Sequence, residues 1–161
     1  MVEVREIGPD DWQAMRDIRL EALRDAPSEF TSTYEREAML TQADWRRRIR
    51  AGGSFLAYLP EVDAAAPVGI IAGVEAGPGT IELISAWVRP PARRHAVGEA
   101  LVGAVVDWAR TKGMSRVRLW VTEGNGGARR LYERCGFVLT GERQPSTSDP
   151  ELTDVGMARP T

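Results

Sequence analysis

The chain has 161 residues, 43% of them hydrophobic, with 21 basic and 23 acidic side chains and a formal net charge of −2. That length suits a single domain spanning residues 1–161 with a sizeable core. The near-balance of charge argues against a general pull toward nucleic acid or an anionic membrane surface, and a lone cysteine rules out an internal disulfide.

The chain order predicts β α α β β β α β α β β. A first helix is expected from Asp10, with Gln13 three residues on in a capping-box-like pattern and Trp12, Met15, Ile18 and Ala22 at helical spacing. Pro27 breaks it. A second helix starts at Thr41, with Asp44 as its capping partner, and ends at Gly52 and Gly53. "SFLAYL" and "VGIIAGV" read as strands joined by the polar loop "PEVDAAAP". A turn at Gly77–Gly79 leads into a third strand, Ile81–Val88, whose parity places Glu82, Ile84, Ala86 and Val88 on one face and Ser85 on the other. Leu101, Val105 and Trp108 mark a helix closed by Lys112 and Gly113. "RVRLWVT" alternates as a half-buried strand, "NGGARRLYERCGF" is a short helix closed by Gly136, and "FVLTG" and the segment Leu152–Met157 are closing strands. Alternation of helix and strand in the second half implies some parallel pairing.

Further classes drop out. The N-terminus lacks a signal-peptide pattern, and the apolar runs are too short to span a bilayer. One cysteine and one histidine argue against a structural zinc site, and cysteine usage fits a reducing cytoplasm. Of the basic residues only Lys112 is lysine, which decides little.

"VRPPARRHAVGEAL", Val88–Leu101, holds the main signal. A strand ends, arginines follow, and a glycine opens an apolar helix. The first turn of a helix offers unpaired N–H groups and the positive end of its dipole, and Arg93 and Arg94 add charged donors. Taken alone, the loop reads equally well as a solvated basic turn. No Gly-Lys-Ser/Thr loop and no Gly-x-Gly-x-x-Gly occurs. The spacing V-x-P-x-x-R-x-x-[GA]-x-G-x-x-L is met by Val88, Pro90, Arg93, Ala96, Gly98 and Leu101. It resembles the acetyl-CoA pyrophosphate loop of the GNAT family of N-acetyltransferases. Asn125, Ala128, Tyr132, Gly136 and Phe137 match a second family motif, and the offsets put the first three on one helix face.

The resemblance implies an α/β fold of the GNAT type. Its sheet would be mixed and mostly antiparallel, with a central parallel strand pair splayed around acetyl-CoA and helices at its flanks. It implies acetyl-CoA as co-substrate, no metal, and direct transfer to a primary amine in a ternary complex. A small-molecule acceptor is expected; the alternatives are a protein N-terminus or lysine as acceptor, or a non-catalytic acyl-CoA sensor. A homodimer is possible. The implied cofactor residues are Ala86, Trp87, Val88, Arg93, Arg94, His95, Ala96, Val97, Gly98, Glu99, Asn125, Ala128 and Tyr132. Tyr132 matches the general acid and Glu82 the base, with Ser85 as an alternative means of orienting a water. Cys135 is expected to pack rather than carry an acetyl group. On the acceptor side the candidates are Glu29, Phe30, Tyr34 and Ser85, with Glu35 and Trp45 behind them. Many members have glycine at the positions of Arg94 and Ala96; the methyl of Ala96 is tolerable there if its φ is negative.

Overall fold

The computed structural model describes residues 1–161. One seven-stranded sheet runs through it. In chain order the elements are β1 (Glu3–Glu6), α1 (Trp12–Asp25), α2 (Tyr34–Ala38), α3 (Gln42–Arg50), β2 (Ser54–Tyr58), β3 (Gly69–Glu75), β4 (Thr80–Val88), α4 (Val97–Thr111), β5 (Arg116–Thr122), α5 (Gly126–Arg134), β6 (Val138–Pro145) and β7 (Thr153–Pro160). The strand order is β1-β2-β3-β4-β5-β7-β6. Every neighbouring pair is antiparallel except β4 and β5. The fold is therefore mixed α/β, mostly antiparallel, with one parallel pair and helices at its flanks, as the resemblance implied.

Each face of the sheet has its own apolar layer. Leu101, Val105, Val106 and Ala109 of α4 pack on Ile71, Ile81, Leu83, Val117 and Leu119. On the opposite face Met15, Ile18, Ala22 and Leu23 of α1 and Trp45 and Ile49 of α3 cover Leu56, Ile70 and Trp87. β-branched and leucine side chains alternating along the strands feed both layers, which is what a sheet covered on both sides requires.

Helix starts separate the sequence expectations. At Thr41 the capping box forms as expected: Asp44 N–H donates to Thr41 Oγ1 at 3.2 Å and Thr41 N–H to Asp44 Oδ2 at 2.9 Å. At α1 it does not. A 3-10 turn over Pro9–Asp11 precedes the helix, and Gly8 N–H donates to Asp11 Oδ2 at 2.9 Å. Asp10 instead meets Arg46 at 3.2 Å. The closing strands run longer than expected, to Pro145 and Pro160, and the short helix α2 was not foreseen.

The parity of β4 is also corrected. Ile70 pairs with Trp87 and Ala72 with Ile84, so Ser85 and Ala86 stand opposite the single residue Ile71. This bulge puts Ser85 at φ +61 and reverses the inward face. Before it, Ile81 and Leu83 face α4 while Glu82 and Ile84 face away; after it, Ala86 and Val88 face α4 while Trp87 joins the α1 layer.

Candidate functional site

β4 and β5 are joined over only three residue pairs, the last being Glu82 with Arg118. Beyond these the two strands part, and β5 continues with β7 alone. The helices that follow the parted ends, α4 and α5, both begin at this fork. In a parallel pair such a crevice beyond the carboxyl ends of the strands is the natural ligand position.

On one side of the fork lies the loop into α4. The first helical bond of α4 runs from Ala100 N–H to the Ala96 carbonyl at 3.1 Å. The six N–H groups from Arg94 to Glu99 have no acceptor within the protein. Consecutive free N–H groups at a helix N-terminus form a concave donor surface suited to a diphosphate. Two residues in it are left-handed, Arg94 at φ +68 and Ala96 at φ +60. The condition of negative φ at Ala96 is therefore not met. A non-glycine residue costs about 1–2 kcal/mol in this conformation.

The side chains of the loop divide. Arg94 and His95 are exposed and make no bond or ion pair within the protein. Arg93 turns back: its Nε donates to the Val88 carbonyl at 2.9 Å and its Nη2 to Asp25 at 3.1 Å, which makes it a clasp on the loop rather than a free phosphate ligand. Trp87 is buried, its indole N–H donating to the same Asp25 carboxylate at 2.9 Å. Ala86 and Val88 pack on the α4 layer, and Val97 is buried within it, so only the backbone of Val97 faces outward. Glu99 is bonded to Arg134 of α5 at 2.8 Å.

Gly98 lies against α5. A Cβ there would lie 3.0 Å from Leu131 Cδ2 and 3.4 Å from Cδ1. The glycine thus permits close approach of α5.

On the other side of the fork stands α5. Asn125 caps it, Oδ1 accepting from Ala128 N–H at 3.2 Å. Tyr132, one face further on, is buried with its ring edge-on to Phe137 at 5.9 Å. Its hydroxyl makes no hydrogen bond within the protein. Burial raises its pKa to about 12, helped by the nearby Glu29 carboxylate. The phenol is thus held protonated across any ordinary pH. Cys135 ends the helix half-buried, and burial raises its thiol as well, which keeps it a poor nucleophile.

Glu82 sits at the branch of the fork, its Oε1 accepting from Arg118 Nε at 3.1 Å. Ser85 Oγ accepts from Arg19 Nη1 at 3.0 Å. Glu29 lies on a 3-10 turn after α1, exposed and free of any salt bridge, with Asn125 Nδ2 at 3.5 Å. Phe30 is buried rather than pocket-lining, and Trp45 is fully buried in the α1 layer. Tyr34 lies under Arg24, whose guanidinium is 4.0 Å from the ring and donates to the phenol oxygen at 2.6 Å. A cleft of about 460 Å³ between the end of α1 and the start of α2 is lined by Leu23, Arg24, Pro27, Ser32, Thr33, Tyr34 and Glu35.

Sequence reading missed Arg19, Glu37, Asp25 and Arg118. For Arg19 a signal existed. It lies four residues after Met15 and three before Ala22, a charge on the apolar stripe of α1. Such a residue must be paired. No cluster of three or more His, Cys, Asp or Glu side chains is arranged to hold a metal ion. No helix is long and apolar enough to cross a membrane.

With this geometry in hand, the acetyltransferase (GNAT) family matches residues 12–137. This chain belongs to the GNAT family. An uncharacterized N-acetyltransferase of Methanocaldococcus jannaschii is 36% identical over 56 residues, 35% of this chain and 25% of that protein. The chain thus covers a quarter of that relative's length. Among solved structures, Ard1 from Thermoplasma volcanium is 26% identical with a TM-score of 0.71, covering 99% of this chain and 97% of that one. The GNAT-family acetyltransferase from Streptococcus pneumoniae, at 19% identity, has a TM-score of 0.79 and 99% coverage of both chains, a likeness of fold. The forked parallel pair and the donor-rich loop are thus set in a GNAT fold over nearly the whole chain.

Proposed function

We propose that residues 1–161 form one catalytic domain, an acetyl-CoA-dependent N-acetyltransferase acting on the primary amine of a small molecule by direct transfer. The observation that carries this reading is the run of six free N–H groups from Arg94 to Glu99 at the start of α4. It suits the diphosphate of acetyl-CoA, with Arg94 adding exposed positive charge and His95 an exposed imidazole. Bound there, acetyl-CoA supplies an activated thioester; the rest falls to this chain's own side chains.

Two protons must be managed, one leaving the acceptor ammonium and one reaching the departing sulfur. Tyr132 is suited to the second. Its hydroxyl is free, and a pKa of about 12 keeps the proton available. Glu82, in ion pair with Arg118 at the branch of the fork, is suited to the first, directly or through a water. Glu29, free of salt bridges and near Tyr132, suits the ammonium of the incoming acceptor. The volume of the cleft beside Tyr34 falls in the range of small-ligand sites, roughly 300–1,000 Å³.

A panel of small amines, amino acid derivatives and peptides, with CoA release followed, tests this reading. Turnover of a small amine is expected. Turnover of peptides alone would replace the small-molecule acceptor by a protein one. Tight acetyl-CoA binding with no turnover of any amine would favour a sensor.

A further inference from the structure

A cluster of buried charge lies on the face of the sheet opposite helix α4. Arg19 of α1 is 8% exposed and Glu37 of α2 is 1% exposed. Arg19 Nε and Nη2 both donate to the Glu37 carboxylate at 3.0 Å, and Arg48 Nη1 of α3 donates to it at 2.9 Å. The guanidinium lies over the Phe30 ring at 4.7 Å. Its remaining nitrogen, Nη1, donates to Ser85 Oγ at 3.0 Å. Three helices are therefore tied through one arginine to one residue of β4, and that residue is the left-handed member of the bulge.

Apolar side chains would pack three helices together as well as this cluster does, since a buried ion pair is weak evidence for stability. They could not grip a hydroxyl. A planar guanidinium held at two corners by a carboxylate presents its third corner in a fixed direction. At that corner is a serine whose φ of +61 persists only if its surroundings hold it there.

We infer that Arg19 is a positioning residue: clamped by Glu37, it fixes Ser85 in the bulge and so sets the course of β4 along the fork. Because Ser85 Oγ accepts from Arg19, its own O–H points away from the guanidinium. The kinetic consequence rests on the acetyl-transfer reading above; the structural consequence does not. Three variants test it: Ser85→Ala, the pair replacement Arg19→Met with Glu37→Leu, and all three changes together. The pair replacement leaves no unpaired charge in the interior, because Arg48, 39% exposed, reaches solvent.

Nitrogen relaxation of the Ser85 and Ala86 amides, without any substrate, is the first readout. In the pair replacement their order parameters are expected to fall from about 0.85 to below about 0.6, while those of α4 stay high. Unchanged order at both amides overturns the inference. The second readout is steady-state kinetics with an amine that the parent protein acetylates. The pair replacement is expected to lower kcat roughly ten- to a hundred-fold, since small misplacements near the chemistry have effects of this size. Acetyl-CoA affinity should stay within about twofold, and adding Ser85→Ala should cost no more than about another twofold, the usual error of additivity. Full additivity of the two changes overturns the inference. Should the pair replacement fail to fold, Ser85→Gly decides. Glycine relieves the left-handed strain, so higher stability with lower kcat is expected, and undiminished kcat would refute the positioning role. If the parent acetylates no amine, the acetyl-transfer reading falls, and the relaxation readout still decides on Arg19.

Discussion

Replacing Glu37 by glutamine should destabilise the protein in a way that depends on pH. Burial alone would raise the Glu37 carboxyl, but hydrogen bonds from Arg19 and Arg48 outweigh it and bring its pKa down to about 2. A carboxyl whose folded pKa is depressed contributes stability that is fully present above its unfolded pKa, about 4.3, and is lost as pH falls through the folded value. At 1.36 kcal/mol per pH unit, a depression from the ordinary 4.5 to about 2 amounts to about 3 kcal/mol at neutral pH. Glutamine keeps the shape but not the charge, leaving Arg19 without its counter-ion. Urea unfolding of parent and variant should therefore differ by about 3 kcal/mol at pH 7. The gap should narrow below about pH 4.5 and nearly close by about pH 2. All other carboxylates titrate in both proteins and cancel. A gap that is the same at pH 7 and at pH 2.5 would refute the reasoning, because the loss would then come from packing.

Tyr132→Phe should lower turnover roughly a hundred-fold, the usual size for a lost general acid, with acetyl-CoA affinity nearly unchanged by calorimetry. In the parent enzyme this tyrosine should cause no alkaline loss of kcat below about pH 11, as its pKa of about 12 requires; a limb near pH 9 that vanishes in Tyr132→Phe would contradict it. Ala96→Gly should raise stability by about 0.5–1 kcal/mol, since left-handed strain relieved exceeds the entropy that glycine adds; thermal unfolding with acetyl-CoA titration checks that binding survives. Gly98→Val should cost about 1–3 kcal/mol, the range for overpacking, because its side chain meets Leu131. It should also lower kcat by moving the helix that carries Tyr132, and normal stability with normal kcat would show that α5 is not so closely held.

The element order and the two motifs were legible because they depend on local rules. Capping at Thr41, the apolar stripe of α4 and the offsets from Asn125 to Tyr132 are set within a few residues of chain. What was not legible depends on partners far away in sequence. The bulge at Ser85 inverts half of β4, and nothing near Ser85 announces it. Arg93 could be read as a phosphate ligand only while Asp25, 68 residues earlier, was out of view. The role of Gly98 required knowing that Leu131 crosses over it. In each case the residue type was noticed and its partner was not.

Strand β7 is inserted between β5 and β6, although it follows both in sequence. During synthesis β6 emerges with no edge to join, since β5 pairs with β7 and never with β6. Until residues 153–160 leave the ribosome, the outer edge of β5 is open from Arg116 to Thr122, and Leu119 and Val121 lack their cover from Met157 and Val155. A chain stopped before Thr153 would expose this row of unpaired backbone groups, a template for pairing with another chain. Premature termination in that region should therefore produce aggregation rather than a folded, weakened enzyme.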